Sequence, residues 1–416
     1  MHVVVAGGGL AGLVAARHLA ESGAEVELFE TESTVGGRVR SRIVDGYTLD
    51  RGFQVLFTAY PAARRELDYG SLDLRTFAPG ATIALPNHRS TLADPLGDPG
   101  AALPTLLNRD IRTADKLRLF QLQRELKRRD WATLFEDDGG MTIREYLADR
   151  GFSRAFVERF AAPFYGGITL DRSLGTSASV FEYTFKALSV GETVVPADGM
   201  GAIAGQLCER AESAGATIET DAAVTVVDAD GPHVETDIGS RSPDAVVVAT
   251  DPETASELTG VDTPTGTKAS VTVHCSLPEH QSLDTGSRIV LNAADQEPNT
   301  VAPMSAVSPE FAPKGKQLLS ATFPGTRDET DAELGAVVKN ALSSWFPENH
   351  FGEFEVIAVD RVEFAQFSQP PGFHEELPSV DAPDGAVYLA GDYTQWSSIE
   401  GALESGNLAA DAVLDR

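Results

Sequence analysis

The chain opens on a β-branched run, Val3-Val4-Val5, broken by Gly7, Gly8 and Gly9. From Leu10 to Ser22 apolar residues recur at helical spacing, Gly23 ends the pattern, and Val26–Glu30 reads as a second strand. Strand, glycine turn, helix and strand make one βαβ unit, which predicts a parallel sheet with a right-handed crossover. Between about 76 and 190 the pattern changes. Proline and glycine cluster from Pro79 to Pro104, and helical periodicity then predicts helices over Ala114–Arg129 and Thr142–Phe160. The α/β pattern returns at about 196–250, with a helix ending at Gly215 and strands in "AVTVVDAD" and "DAVVVAT". Residues 256–365 are strand-rich and irregular, with "SVTVHCSL" and "FEVIAVDRVEF", and the tail reads strand, loop, helix.

The same α/β pattern thus appears three times, separated by two dissimilar insertions. The fold class expected is α/β: a discontinuous Rossmann-like dinucleotide-binding domain from 1–75, 190–255 and 366–416. An α+β substrate domain is expected from 76–189 and 256–365.

Composition changes this picture in one respect. Of 416 residues, 42% are apolar and 23% charged, ordinary globular usage that excludes disordered and fibrous chains. The balance of charge is not ordinary: 33 Lys and Arg face 62 Asp and Glu, a net charge of −29. Such a chain does not follow a phosphate backbone, so nucleic acid is not expected as a partner. An acidic surface with Arg far outnumbering Lys points to a halophilic protein whose self-repulsion concentrated salt screens, which melting across a salt series tests. Cys208 and Cys275 have no CxxC spacing, and the histidines show no metal-ligand spacing, so no disulfide framework and no metal are expected. The start lacks the basic region of a secretory signal, and no apolar stretch reaches the roughly 18–20 residues that span a membrane. A cytoplasmic protein is expected, in surface contact with membrane at most.

The chemistry lies in the glycine turn. Gly7-Gly8-Gly9-Leu10-Ala11-Gly12 fits GxGxxG between a strand and a helix. Gly7 permits the tight turn, Gly9 lets a pyrophosphate approach the backbone, and Gly12 lets helix and strand pack closely. The pyrophosphate would sit on the helix N-terminus at Leu10 and Ala11. Glu30 lies 18 residues after Gly12, near the spacing of an acid that binds ribose hydroxyls, and no Lys or Arg follows at Thr31 or Glu32 to favour a 2′-phosphate. Gly36-Gly37-Arg38 follows the second strand, where Arg38 can reach a pyrophosphate. Gly391-Asp392 stands at a late strand end, before "SSIEGALESG" opens a helix.

Together these motifs resemble the flavin amine oxidoreductase superfamily, which includes monoamine oxidases, protoporphyrinogen oxidases and plant-type phytoene and ζ-carotene desaturases. The resemblance runs the length of the chain. "LDRGFQVLFTAYPAARREL" (Leu49–Leu67) looks like a stretch of the plant-type desaturases, and "PFYGGITLDRSLGTSASVF" (Pro163–Phe181) is similar to a segment of protoporphyrinogen oxidases. "VPADGMGAIAGQL" (Val195–Leu207) and "LAGDYTQWSSIEGALESG" (Leu389–Gly406) match the middle helix and the C-terminal FAD motif. The resemblance implies FAD, and because neither Cys208 nor Cys275 lies in the tail, non-covalent attachment is expected. Glu30 would bind the adenosine ribose, Gly37-Arg38 the pyrophosphate region, Val224 the adenine edge through its backbone, and Asp392 the phosphate-ribityl part. Backbone N–H groups over Ile399-Glu400-Gly401-Ala402 would face the flavin, and Gly52-Phe53-Gln54 would lie by its ring. No position is assigned to the amine oxidases' active-site lysine.

The activity implied is dehydrogenation of a small hydrophobic, isoprenoid- or carotenoid-like substrate. Protoporphyrinogen-type or amine oxidation and a non-enzymatic binding protein of the same fold are the alternatives. Three further features have two readings each. His374 is an active-site group or a loop histidine. Tyr393 and Trp396 flank the flavin or pack in the core. Residues 109–130 carry eight basic against four acidic side chains, interleaved with Leu117, Leu119, Phe120, Leu122 and Leu126. They form a membrane-facing entrance or a helix packed on its own domain.

Overall fold

The computed structural model describes residues 1–93, 108, 110–136, 140–228 and 233–416. The proline-glycine cluster beyond Ala93 and the basic residue Arg109 lie outside the described residues.

The β-branched runs assemble a five-stranded parallel sheet in the order Thr217–Glu219, Glu25–Phe29, His2–Ala6, Ala245–Val248, Val387–Leu389. Val3, Val4 and Val5 are wholly buried, as in a central strand covered on both faces. The helix Leu10–Glu21 follows the first strand, and the helix Ile399–Leu414 follows the last. The two pack so closely that a Cβ on Gly406 would stand 2.4 Å from the Ala11 carbonyl oxygen. A buried carboxylate pins the same region. Glu66 is wholly buried and accepts from Arg17 (2.8 Å), Arg65 (2.9 Å) and Asn407 (2.7 Å), with His18 at 3.2 Å. Burial alone would raise its pKa, but these donors and the Arg17 charge bring it down to about 2.

Strands from both insertions share a second, seven-stranded sheet. Its order is Glu355–Phe367, Thr267–Pro278, Lys316–Pro324, Thr300–Ala302, Ile289–Asn292, Ala81–Leu85, His88–Leu92. All its pairs are antiparallel except Ile289–Asn292 with Ala81–Leu85. Its two faces differ in kind. Val271, Val273, Cys275 and Leu277 join Leu319, Ala321 and Phe323 beneath Leu334, Val338, Leu342 and Trp345 of the helix Asp331–Trp345. The alternate positions Ser270, Thr272, His274, Ser276, Ser320 and Thr322 form the opposite face, buried and polar.

Two expectations are corrected. The strand in "AVTVVDAD", Val224–Asp228, does not join the parallel sheet. It pairs antiparallel with His233–Thr236, which pairs with Gly239–Arg241. Thr225, Val226 and Asp228 are exposed, which an interior strand covered on both faces would not allow. The helix expected over Thr142–Phe160 is broken. Thr142 and Glu145 form a capping box for Ile143–Asp149, the chain turns at Gly151 (φ +76°), and Ser153 caps a new helical start. Ser153 is held there by Asp115, which accepts from its N–H (2.9 Å) and its hydroxyl (2.6 Å). A π-helical turn at Val157–Ala161 then leads into Ala162–Ile168. The preceding helix, Thr113–Leu126, ends three residues before Arg129.

Candidate active site

The strand ends of the parallel sheet and the polar face of the second sheet enclose a continuous cavity of about 1520 Å³. Typical ligand pockets hold roughly 300–1,000 Å³, so this one has room for a dinucleotide and a second molecule together.

At one end stand the glycines of the first turn. Gly7 has φ +107°, and a Cβ there would meet the Ala249 carbonyl at 2.6 Å. A Cβ on Gly12 would meet the Gly7 carbonyl oxygen at 2.0 Å, so Gly12 serves the packing of helix on strand and does not reach the cavity. Gly9 differs: it lines the cavity, and a Cβ there would meet nothing within 4 Å. That open space lies at the N-terminus of the helix Leu10–Glu21, beside Leu10 and Ala11, where unpaired N–H groups favour a phosphate.

Glu30 follows its strand and lines the cavity. Its carboxylate accepts from the Gly8 N–H (2.7 Å) and the Glu32 N–H (2.9 Å), which fix its direction. Gly8 is therefore a functional position that sequence reasoning missed; its place inside the glycine fingerprint was the available signal.

Arg38 lines the cavity and donates to Asp392 Oδ1 at 2.6 Å and to the Ala365 carbonyl at 3.2 Å. Asp392, 3% exposed, also accepts from the Ser397 hydroxyl at 3.0 Å. Gly37 and Gly391 line the wall beside them. Gln54 donates to the carbonyls of Arg38 (2.8 Å) and Arg51 (3.1 Å), so two predicted segments meet directly.

Gly52, Phe53 and Gln54 line the middle of the cavity. The Gly52 N–H donates to Asp360 at 3.2 Å. Asp360 also receives Arg42 (2.6 Å) and contacts His274 Nε2 (3.1 Å). Burial opposes its charge, yet His274 and Arg42 hold its pKa far below the usual carboxylate range. Nearby Asp50 behaves oppositely. One of its oxygens accepts from Ser41 (2.6 Å) and the Met200 N–H (2.8 Å), while Oδ2 has no partner among the described residues. Burial outweighs those bonds and pushes its pKa up to about 6.

The C-terminal motif is only partly directed at the cavity. Ile399 and Ala402 line it, while Glu400 and Gly401 do not. Glu400 turns the other way and accepts from the N–H groups of Ala62 (2.9 Å) and Ala63 (3.1 Å) and from Tyr183 (3.1 Å). The Gly401 N–H is taken by the capping Ser398 hydroxyl (2.8 Å), and the Ala402 N–H by the Ser398 carbonyl (3.1 Å). The expectation that all four N–H groups face a cofactor is thus corrected: those of Gly401 and Ala402 already have acceptors at the start of the helix. Val224 also lies off the cavity wall. Trp396 lines the cavity, while Tyr393 is buried and donates to the Val248 carbonyl at 3.3 Å. His374 stacks on Phe135 with ring centres 5.0 Å apart and is not among the residues that line the cavity.

The far arm of the cavity is apolar. Phe156, Phe160 and Phe164 line it, with successive ring centres 5.4 Å apart, and Phe181 and Phe185 stack at 5.5 Å on another helix. It reaches the surface at Leu117 and Phe120, which are 61% and 49% exposed.

Comparison with known proteins agrees with this geometry. The sequence profile of flavin-containing amine oxidoreductases matches residues 10–414. The chain is 30% identical over 177 residues to a coproporphyrinogen III oxidase of Propionibacterium freudenreichii subsp. freudenreichii, covering 40% of this chain and 31% of that protein. It is 29% identical over 283 residues to a carotenoid 3,4-desaturase of Haloarcula japonica, covering 60% of this chain and 55% of that protein. The matches thus span between a third and about half of these relatives' length. A solved oxidoreductase from Methanosarcina mazei shares the fold along all of both chains, with a TM-score of 0.75 at 18% identity.

Proposed function

We propose that the chain, a member of the flavin-containing amine oxidoreductase family, is an FAD-dependent oxidoreductase that dehydrogenates an elongated apolar substrate of the isoprenoid or carotenoid class, with FAD held non-covalently. The observation that carries this reading is the phenylalanine-lined arm that joins the nucleotide end of the cavity to the surface. A flat conjugated chain lies favourably along stacked aromatic faces, and burial of its hydrocarbon supplies the affinity.

The residues present fit FAD. The open space at Gly9 takes a pyrophosphate, Glu30 is held ready for ribose hydroxyls, and Arg38 supplies charge beside it. When bound, FAD supplies the capacity to accept a hydride equivalent. The chain's own part is to orient and to exclude water. Gly52 leaves one wall without a side chain, Gln54 ties the Arg38 and Arg51 backbones together, and the aromatic arm keeps the substrate dry. Non-covalent attachment is supported by the described wall, which contains no cysteine or histidine.

We also propose that the mouth rests on a membrane surface. Leu117 and Phe120 protrude there, and Arg112, Arg124, Lys127 and Arg128 are exposed around them, a basic patch on an acidic chain. Among the described residues no helix is long and apolar enough to cross a membrane.

Anaerobic mixing tests the reading. Addition of a colourless polyene in detergent is expected to bleach the flavin absorption band. Bleaching by amines or porphyrinogens, with none by polyenes, would overturn it.

A further inference from the structure

Gln369 lines the cavity and is 4% exposed. Two bonds hold it in place. Its backbone carbonyl accepts from the Ser177 N–H (2.8 Å), and its side-chain Oε1 accepts from the Ser397 N–H (2.9 Å). The second bond fixes the sense of the amide. A backbone N–H needs an acceptor, so the oxygen faces Ser397 and the NH2 group faces away from it. Nε2 has no hydrogen-bond partner among the described residues. The sealed side-chain atoms without a partner include Asp50 Oδ2 and Tyr165 Oη but not Gln369 Nε2, so this donor reaches open space, and the space that Gln369 lines is the cavity. Gln54 and Gln366 also line it, but both spend amide hydrogens on backbone carbonyls, Gln54 on Arg38 and Arg51 and Gln366 on Ile168 (2.7 Å). Gln369 alone of the three spends its oxygen and keeps its hydrogens for the cavity.

A chain of hydrogen bonds leads to it along the wall. Gln54 donates to the Arg38 carbonyl, Arg38 to Asp392 (2.6 Å), and the Ser397 hydroxyl to Asp392 (3.0 Å), while the Ser397 N–H meets Gln369. All five residues line the cavity. Ile399 lines it beside them and opens the helix Ile399–Leu414, whose N-terminal end favours negative charge. A hydrocarbon in the phenylalanine arm offers Nε2 nothing to bind. Buried donors are ordinarily paired, so the partner is an acceptor on the molecule at this end of the cavity.

We infer that Gln369 donates from Nε2 to the oxygen- and nitrogen-bearing edge of the FAD ring, and that this bond raises the cofactor's reduction potential. The inference rests on the FAD reading above and on Gly52-Phe53-Gln54 lying by the ring. In the dehydrogenation the substrate gives up a hydride and, separately, a proton, and the two electrons of the hydride leave one negative charge on the ring. A hydrogen bond to a charged acceptor is stronger than one to a neutral acceptor, so the bond favours reduced FAD over oxidised. Ser177 and Ser397 hold the donor in place beforehand, so no rearrangement is needed when the charge forms.

The test uses the full FAD-loaded chain, reduced anaerobically with dithionite beside a dye of known potential. It is run at about pH 9, above the ordinary carboxylate range. Gln369→Met removes both side-chain bonds. Gln369→Glu keeps the shape and an oxygen for the Ser397 N–H, and removes the donor. Both variants are expected to shift the equilibrium with the dye about tenfold toward oxidised flavin, about 30 mV for a two-electron couple. Thermal melting checks folding; if Gln369→Met melts early, Gln369→Glu carries the comparison. A potential that falls in Gln369→Met but not in Gln369→Glu would leave the residue only the task of positioning Ser397. A potential unchanged in both would place the donor against another part of FAD or against water. Either result overturns the inference and leaves the FAD reading standing. A wild-type chain that takes up no FAD overturns both.

Discussion

The Arg38 guanidinium meets the Asp392 carboxylate at 2.6 Å, although 354 residues separate them in sequence. The pair joins the turn after the second strand of the parallel sheet to the end of its last strand, and both residues line the cavity. Asp392 is nearly inaccessible, while Arg38 is 34% exposed, so screening reduces the worth of the pair. Arg38→Met is expected to weaken FAD binding by about one order of magnitude, because it removes a positive charge from the cavity wall and leaves a buried carboxylate with less support. Adding Asp392→Asn should cost less than the sum of the single changes, since the two side chains interact. Isothermal titration of the four proteins with FAD measures this; strictly additive losses would contradict it.

The first-turn glycines separate stability from binding. Gly9→Ala places a methyl in open space at an ordinary φ of −70°, so melting should change little while FAD affinity drops steeply. Gly12→Ala drives a methyl against the Gly7 carbonyl, and should cost about 1–3 kcal/mol of stability. Thermal melts without cofactor distinguish them; equal destabilisation by both would be inconsistent with the assigned roles.

Asp50 predicts a pH dependence. Its folded pKa, raised by burial to about 6, lies above its ordinary 3.8. Its contribution to stability is therefore full below pH 3.8 and disappears as pH rises through 6. Relative to Asp50→Asn, wild type should lose about 1–2 kcal/mol between pH 5 and pH 8 at constant salt. Urea unfolding at the two pH values checks this, and a difference independent of pH would argue against it.

Leu117→Asp with Phe120→Asp should abolish flotation with anionic liposomes and leave flavin retention unchanged, because the two exposed side chains sit at the mouth of the cavity, away from its nucleotide end. Wild type that fails to float, even in dilute salt, would show that this helix packs on its own domain alone.

What was legible in the sequence was whatever the backbone constrains tightly. Gly7, Gly9 and Gly12 are each explained by one geometric demand, and Glu30 by its place at a strand end. The helix Gly201–Ala214 ends at Gly215 with φ +108°, as its pattern predicts. Contacts made by distant residues were not legible. Nothing local in "IEGA" says that Glu400 faces the Ala62 and Ala63 amides rather than the cavity. Nothing near Thr142–Phe160 says that Asp115 will hold Ser153 and break the helix. One signal was present and unread. In "SVTVHCS" apolar residues alternate with Ser270, Thr272, His274 and Ser276, marking a strand with one polar face. That this face is buried against the cavity depends on the fold.

The most direct test of the account is the visible spectrum of the purified protein before and after acid precipitation. The account predicts flavin bands that pass into the supernatant and are identified there as FAD. A colourless protein that added FAD cannot reconstitute, or a flavin that stays with the precipitate, would contradict it.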